Sequence, residues 1–277
     1  MRLKNKLKEG IDDYGTPDMK YYAFDWDDNI VTMPTKIILK DEDGDEVGMS
    51  TQDFAEYRTE VGKEPFEYQG HTIVGFAELP FRNFTVTGDK DFIIDAMLAK
   101  IGPAWPDFVE AINNGSIFSI VTARGHTPSV LKEACYNYIV SNFNGIDSNE
   151  LVRNLEKYRH LADEEQLSKR EMIKEYLDLC KFYPVTYGEG SATNPEEGKI
   201  KALKEFISYV KEVSKSLSKS LENRPLLKNK ISNHFLPTIG FSDDDIRNVE
   251  TVKKHFEKEP DNILKTYLTS TGTKKEY

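Results

Sequence analysis

The sequence predicts an α/β fold in which helices cover both faces of a mostly parallel sheet. Short apolar runs that suit buried strands alternate with segments of helical spacing, and three of these runs end directly in polar clusters. In a parallel sheet the carboxyl ends of the strands meet at one edge, and ligands bind beyond that edge. We therefore predict a Rossmann-like core with a functional site where the polar clusters converge.

Composition and charge restrict the class of protein. The chain has 277 residues, a formal net charge of −10, 30% charged residues and 38% hydrophobic residues, which is typical of a globular protein. This acidic balance disfavours broad binding to nucleic acid or to an anionic membrane surface. No apolar run approaches the roughly 18 residues of a membrane-spanning helix, and the N-terminus lacks the apolar stretch of a signal peptide. We expect no membrane partner.

The cysteines predict the compartment. Cys135 and Cys180 both lie in segments of helical spacing. That placement favours reduced thiols in a core over a disulfide framework or a metal cluster. We therefore predict a cytoplasmic location.

The first core strand covers residues 21–24 and stops at the acidic run DWDD. An inserted segment follows at about residues 34–88. Its turn sequence DEDGD separates two strand-like runs, which predicts a hairpin, and its aromatic-rich stretch over 54–84 has no clear helical period. We predict a small separate sheet that acts as a cap-like subdomain. The DEDGD turn has its glycine at the wrong position for a calcium loop, so we assign it no metal.

The chain then returns to the core. Two helices are predicted over residues 90–113, separated at Gly102-Pro103. The second core strand, residues 117–121, ends at the polar run TARG, and Thr127-Pro128 begins the next helix. This order of strand, polar loop and helix repeats the pattern of the first strand.

The last part of the chain completes the predicted core, which comprises residues 1–33 and 89–277. Residues 146–180 carry two helical patterns that we interpret as a helical insertion, and the Ser/Lys-rich segment 211–230 suits either an extended helix or a flexible insertion. Pro184 places the third strand at an edge or at its start. The remaining elements are strands at 182–187, 236–241 and 264–268 and helices after Asn194 and after the acidic run SDDD.

The acidic residues after the first strand predict a type of chemistry. Asp25 and Asp27 are separated by one residue, so a tight turn can present both carboxylates to one pocket. An aspartate can accept a phosphoryl group as an acyl phosphate, while a second carboxyl group protonates the leaving alcohol and later activates water. Several acids in one pocket repel each other, and Mg2+ would relieve that repulsion and shield the substrate's phosphate.

Four motifs resemble those of the haloacid dehalogenase-like (HAD) superfamily, in the order expected for that family. They are YYAFDWDDNIV with its Asp-x-Asp, SIFSIVTARG with a Thr at the strand end, GKIKALKEF with a Lys at a helix start, and TIGFSDDDIRNVE with paired acids. One such motif is weak evidence, but four in order are specific, and they span about 110 to 130 residues of the core. Both insertions lie outside the resemblance.

The resemblance implies a role for each matched residue. Asp25 is the nucleophile, and Asp27 is the general acid and base, which also offers its backbone carbonyl to Mg2+. Thr122 binds the phosphoryl oxygens, and Lys199 offsets the charge of the nucleophile and the phosphate. The implied metal ligands are Asp25, Asp27, Asp243 and Asp244, with Asp244 preferred over Asp243 as the direct ligand. Retention of the second Asp favours phosphate chemistry over dehalogenation.

The sequence departs from the family pattern after the second Asp. Relatives usually carry Gly-Thr where Asp28-Asn29 stand here, so we expect Asn29 to take over the Thr contact and bind substrate. Arg124 follows the second motif, where its guanidinium suits a charged substrate, although it suits a loop carbonyl equally well. Lys201 and Lys204 compete with Lys199 for the lysine role, because a helix start is easily misplaced by several residues.

Two further residues lie close to the motifs. Asn248 falls where many relatives carry a second acid or an Asn. His126 follows the second motif, and a lone loop histidine is expected at the surface rather than in a catalytic role.

Together these observations predict an enzyme. The favoured function is Mg2+-dependent hydrolysis of a small phosphorylated substrate, a phosphomonoester, through an aspartyl-phosphate. Phosphotransfer to a second substrate and a nucleic-acid end phosphatase remain open within the same fold. A non-catalytic assembly protein that keeps the fold is the alternative from a different class; the complete set of catalytic-type residues argues against it.

Overall fold

The computed structural model describes residues 20–162, 167–188, 194–222, 237–270 and 274–277. The strands in chain order are β1 (Lys20–Phe24), β2 (Val31–Thr32), β3 (Ile37–Asp41), β4 (Glu46–Met49), β5 (Phe66–Tyr68), β6 (His71–Phe76), β7 (Lys100–Ile101), β8 (Phe118–Thr122), β9 (Lys181–Pro184), β10 (Thr238–Asp243), β11 (Leu264–Leu268) and β12 (Lys275–Glu276). The α-helices are α1 (Thr51–Tyr57), α2 (Asp89–Leu98), α3 (Trp105–Asn113), α4 (Pro128–Val140), α5 (Ser148–Ala162), α6 (Lys169–Leu179), α7 (Pro195–Glu222) and α8 (Ile246–Phe256).

The main sheet is six-stranded and mostly parallel, with the order β12-β11-β10-β1-β8-β9. Strands β9, β8, β1, β10 and β11 are parallel, and β12 pairs antiparallel at one edge. The chain moves from β1 to β8 and β9 on one side and then to β10 and β11 on the other. The direction of strand addition therefore reverses at β1, and the register sets Phe24 beside Ser242 of β10.

Both faces of the main sheet are buried. Alternate side chains of β1 point to opposite faces, so Phe24 packs with helices α2 to α6 while Ala23 packs with Phe206 of α7 and Val252 of α8. The predicted α/β class and the mostly parallel sheet are confirmed. The four predicted core strands after the first also form, and β9 lies at an edge, as Pro184 indicated.

The segment between β2 and β7 contains a second sheet. Its order is β4-β3-β6-β5, all antiparallel, and Leu39, Met49 and Ile73 form part of its own apolar core. The predicted hairpin turn is present: Gly44 has a φ of 88°, a conformation that favours glycine. Helix α1 was not predicted, because it is only seven residues long and only two of its side chains pack, partly buried, against this core, which is too few to show a helical period.

The predicted helical insertion at 146–180 contributes to the main core. Leu151 of α5 and Ile173 and Tyr176 of α6 belong to the same apolar cluster as Phe24 of β1. These helices thus cover one face of the main sheet beside α4.

The structure also bears on the predictions for the cysteines, the Ser/Lys-rich segment and membrane-spanning helices. Cys135 and Cys180 are free and buried, as expected. The Ser/Lys-rich segment continues α7 to Glu222, and its remainder lies outside the described residues. In the described ranges no helix has both the length and the apolar character needed to cross a membrane.

Candidate functional site

The candidate site lies where β1 and β10 end. Asp25 directly follows β1, and its backbone N–H donates to the carbonyl of Ser242 over 3.0 Å. Asp243 is the last residue of β10, after which the chain turns at Asp244. Because the strand order reverses at β1, this edge is the position at which open α/β sheets form a crevice for ligands.

Three carboxyl groups meet at this edge. One oxygen each from Asp25, Asp243 and Asp244 lies within 4.8 Å of the others. Asp25 is 6% exposed and Asp243 is fully buried, while Asp244 is half-buried. We call these three residues the acidic cluster. Carboxylate oxygens are the ligands that hard divalent cations prefer, so the acidic cluster could hold such a cation.

Lys199 joins the acidic cluster from the start of α7. Its ammonium donates to Asp25 Oδ1 over 2.9 Å and to Asp243 Oδ2 over 2.6 Å, and the residue is 2% exposed. The competing lysines Lys201 and Lys204 are exposed on the same helix. Of the three lysines considered from the sequence, the structure thus brings only Lys199 to the site.

The two adjacent acids of the cluster have unequal surroundings. Asp243 has both oxygens engaged, because Oδ2 accepts from Lys199 and Oδ1 accepts from the Asp245 N–H and from Asn248 Nδ2, each over 3.0 Å. Asp244 has no hydrogen bond or ion pair to its carboxyl group among the described residues. Asp243 is therefore held by protein groups, whereas the Asp244 carboxyl group has capacity for a ligand.

Crowding and burial shift the pKa values of the acidic cluster. Burial raises the pKa of Asp25 to about 8 against the opposing charge of Lys199, with Asp243 and Asp27 adding to the rise. Burial, then the charges of Asp243 and Asp25, raises the pKa of Asp244 to about 9. Burial alone would lower the pKa of Lys199, but Asp243 and Asp25 raise it above its ordinary value. A cluster short of positive charge is one that a cation would stabilise.

Asp27 lies beside the cluster and is bound by Arg124. The guanidinium donates from Nε to Asp27 Oδ2 over 2.8 Å and from Nη2 to Asp27 Oδ1 over 2.7 Å. Arg124 is 1% exposed and packs against Phe84 and Phe92, whose ring centroids lie 4.5 and 5.2 Å from its Cζ. The sequence suggested a substrate or a loop carbonyl as the partner of Arg124. In the structure its partner is Asp27, and a substrate contact stays a prediction.

The side chains of Thr122 and Asn29 have different hydrogen-bond partners beside the acidic cluster. Thr122 ends β8 next to β1, and its hydroxyl accepts a 3.3 Å bond from the Arg124 N–H. Asn29 is fully buried. Its Nδ2 donates to the carbonyls of Asp25 and Ser242 over 3.1 and 3.0 Å, and its Oδ1 accepts from Thr269. These bonds tie the loop after β1 to the neighbouring strand, so Asn29 holds the loop that carries Asp25 in place, and its predicted substrate contact stays a prediction.

The expectation of a surface position for His126 is wrong. Its side chain is fully buried, Nδ1 lies 2.9 Å from Asp89 Oδ1, and Nε2 lies 3.2 Å from Arg124 Nη1. Asp89 begins α2, 37 residues earlier in the chain. No spacing in the sequence relates the two residues, because their contact depends on how the chain returns from the small sheet to the core.

Comparisons of the chain with protein-family models, curated proteins and solved structures find no match. Assignment of a function therefore depends on the chemistry of the residues at this edge.

Proposed function

We propose that this protein is a Mg2+-dependent phosphomonoester hydrolase with a HAD-like catalytic site on a Rossmann-like core. The observation that supports this best is the geometry around Lys199. Its ammonium bridges Asp25 and Asp243, and the carboxyl group of Asp244 stands beside them without a partner in the described ranges. Such a site offers a carboxylate nucleophile, a fixed positive charge and a cation position within a few ångströms.

Each residue then has a chemical task. A carboxylate oxygen of Asp25 attacks phosphorus, the bond from phosphorus to the leaving oxygen breaks, and an aspartyl-phosphate forms. Asp27 supplies the proton to the leaving oxygen, and afterwards accepts a proton from the water that attacks the aspartyl-phosphate. Lys199 favours the ionised form of Asp25 and offsets the charge of the phosphoryl oxygens, and Thr122 contributes its hydroxyl to bind them.

The donor set fits a hard dication. Asp25, Asp244 and the backbone carbonyl of Asp27 would hold Mg2+, with Asp243 either as a further ligand or as the anchor of Lys199. When bound, Mg2+ offsets the negative charge of the acidic cluster and of the substrate's phosphate. The raised pKa values of Asp25 and Asp244 support this requirement, because both carboxyl groups are difficult to ionise together without another positive charge.

The small sheet is suited to the role of a cap. Arg58, at the end of α1, lies 3.8 Å from Asp245 at the start of α8, and Phe84 packs on Arg124. The inserted segment thus contacts the rim of the site at two points. A cap in this position would choose among small phosphorylated substrates by the side chains that it presents.

One observation favours phosphotransfer as a second candidate. Asp25 and Lys199 are almost completely buried. A site closed in this way would admit an acceptor hydroxyl in place of water. Product analysis with an added alcohol acceptor distinguishes the two activities, since only transfer yields a new phosphate ester.

The test is a panel of phosphate esters assayed with Mg2+ and with EDTA. We expect hydrolysis that requires Mg2+ and that falls by at least about 10³-fold in Asp25→Asn, because an amide is a poor nucleophile of the same shape. Asp261→Asn is the control, since Asp261 is exposed and precedes β11, whereas the site lies at the edge where the parallel strands end. Turnover that survives EDTA, or normal turnover in Asp25→Asn, would contradict the proposal.

A further inference from the structure

Four side chains form a continuous hydrogen-bonded series that ends at Asp27. The series runs from Asp89 to His126 over 2.9 Å, from His126 to Arg124 over 3.2 Å, and from Arg124 to both oxygens of Asp27 over 2.8 and 2.7 Å. We call these residues the Asp27 relay. Asp27 and Arg124 lie within the motifs that indicated phosphate chemistry, whereas Asp89 and His126 do not, so the proposed function leaves Asp89 and His126 without a role.

The hydrogen-bond inventory determines the state of His126. A guanidinium can only donate, so Nε2 of His126 must accept from Arg124 Nη1. The proton of a neutral ring then lies on Nδ1, from which it is donated to the Asp89 carboxylate. Burial and the charge of Arg124 lower the pKa of His126, in agreement with a neutral ring. His126 thus transmits the position of Asp89 to Arg124 without carrying charge.

The surroundings keep the relay in one geometry. The ring of His126 packs against Phe92 with centroids 4.6 Å apart, and the Arg124 guanidinium lies against Phe92 and Phe84. Asp89 is held in turn by Thr127, whose hydroxyl donates to Oδ2 over 2.9 Å. Asp89 is also the first residue of α2, where the helix dipole stabilises a negative charge. Rotation of Arg124 would break contacts on both of its faces.

We propose that Asp89, His126 and Arg124 are positioning residues that hold the carboxyl group of Asp27 in the orientation required for its acid–base role. This inference rests on the proposed function. Both oxygens of Asp27 accept from Arg124, and two contacts to one guanidinium fix the direction of the carboxyl group. Loss of the Nε2 acceptor releases one side of the guanidinium, so Asp27 loses its alignment while Asp25, Lys199 and the acidic cluster stay unchanged.

Two amide variants of His126 test its contact with Arg124 and its contact with Asp89 separately. Glutamine carries a side-chain oxygen close to the position of Nε2, so His126→Gln keeps an acceptor for Arg124. Asparagine places its amide close to Nδ1, so His126→Asn keeps a donor for Asp89 and loses the contact with Arg124. His71→Gln is the matched control, because His71 Nδ1 also lies 2.9 Å from a carboxylate, that of Asp41, on the small sheet away from the site.

The kinetic test compares an alkyl phosphate with nitrophenyl phosphate, whose leaving group needs little protonation. We expect His126→Asn to lower kcat for the alkyl ester by about 10- to 100-fold, to affect nitrophenyl phosphate much less, and to leave KM within about twofold. His126→Gln should lose less than His126→Asn, and His71→Gln should retain both activities. Equal losses on the two esters, or a larger loss in His126→Gln, would overturn the inference.

A second measurement on the wild-type protein needs no turnover and no variant. Correlation of the ring protons of His126 with both ring nitrogens by ¹H–¹⁵N NMR at pH 7 should show a proton on Nδ1 and none on Nε2. A proton on Nε2 overturns the relay even if Mg2+-dependent hydrolysis is found. Absence of hydrolysis on every ester overturns the proposed function and the positioning role with it, whatever the tautomer.

Discussion

The hairpin turn of the small sheet and the acidic cluster are both rich in aspartate, but their surroundings are opposite. The hairpin turn DEDGDE exposes its acids except Asp41, whose pKa is lowered by the hydrogen bond from His71 and by the N–H of Asp45. The acidic cluster is buried around one lysine, and its members Asp25 and Asp244 have raised pKa values. The turn satisfies its charges, whereas the cluster has more negative charge than its protein partners offset.

The difference shows that the number of acids in a segment does not identify a site. What distinguishes the cluster is burial together with a shortage of donors. Water screens the exposed acids of the turn, so they repel each other weakly and need no cation. The carboxyl groups at the ends of β1 and β10 lie in a less polar environment, where repulsion is strong and a bound cation is stabilising.

The largest effect is expected from removal of the Lys199 ammonium, which is the positive charge bound to the acidic cluster. Lys199→Met leaves Asp25 and Asp243 without their shared donor, and breaking a buried ion pair in this way costs about 3–5 kcal/mol of unfolding free energy. Lys201→Met removes an exposed lysine of the same helix and should stay within about 0.5 kcal/mol of wild type. Urea unfolding at pH 7 in EDTA measures both. Equal stability of the two variants would show that the buried acidic cluster does not depend on the ammonium of Lys199.

A smaller effect is expected on metal affinity. Asp244→Asn forfeits the carboxylate that has no described protein partner, so the half-saturating Mg2+ concentration should rise by at least about tenfold. Asp243→Asn should raise it less, because Asp243 is already bound by Lys199 and Asn248. Calorimetric titration with Mg2+ measures this without turnover, with Asp43→Asn in the exposed turn as control. A greater rise of the half-saturating Mg2+ concentration in Asp243→Asn would make Asp243 the stronger ligand. No rise in either variant would exclude both residues as ligands.

The two segments should also respond to pH with opposite signs in EDTA. The pKa of Asp244 is raised from 3.8 to about 9, so the native state holds a proton that the unfolded state releases, and this residue lowers stability increasingly as pH rises through that interval. Asp244→Asn should therefore gain stability relative to wild type from pH 4 toward pH 9, with a slope below the one-proton limit of about 1.4 kcal/mol per pH unit.

Asp41 supplies the opposite case. Its pKa is lowered, so it contributes stability above its unfolded pKa and loses that contribution as pH falls through the folded value. Asp41→Asn should be less stable than wild type at pH 7, and the difference should shrink toward acidic pH. Thermal unfolding from pH 3 to 9 tests both variants. Parallel curves for the two would show that the supply of hydrogen-bond donors does not distinguish Asp41 from Asp244.

Much of the fold and the site could be predicted because the signals are local. An apolar run that ends in acids, as at Asp25, and a similar run that ends in Thr122, place these residues at the strand ends without knowledge of their neighbours. The parallel sheet then brings the strand ends together, so the meeting of Asp25 with Asp243 follows from the fold class. Helix α1 escaped prediction because its apolar side consists of only two packed residues, Phe54 and Tyr57, which are too few to show a helical period.

The sequence by itself determined the α/β class, the succession of core strands along the chain and the acids at their ends, since each depends on neighbouring residues along the chain. Only the tertiary structure decided which lysine reaches Asp25, that Asn29 binds Thr269, and that Arg124 binds Asp27. The last two contacts join residues 240 and 97 positions apart. Side-chain partners at such separations depend on packing between elements, which no periodicity in the sequence encodes.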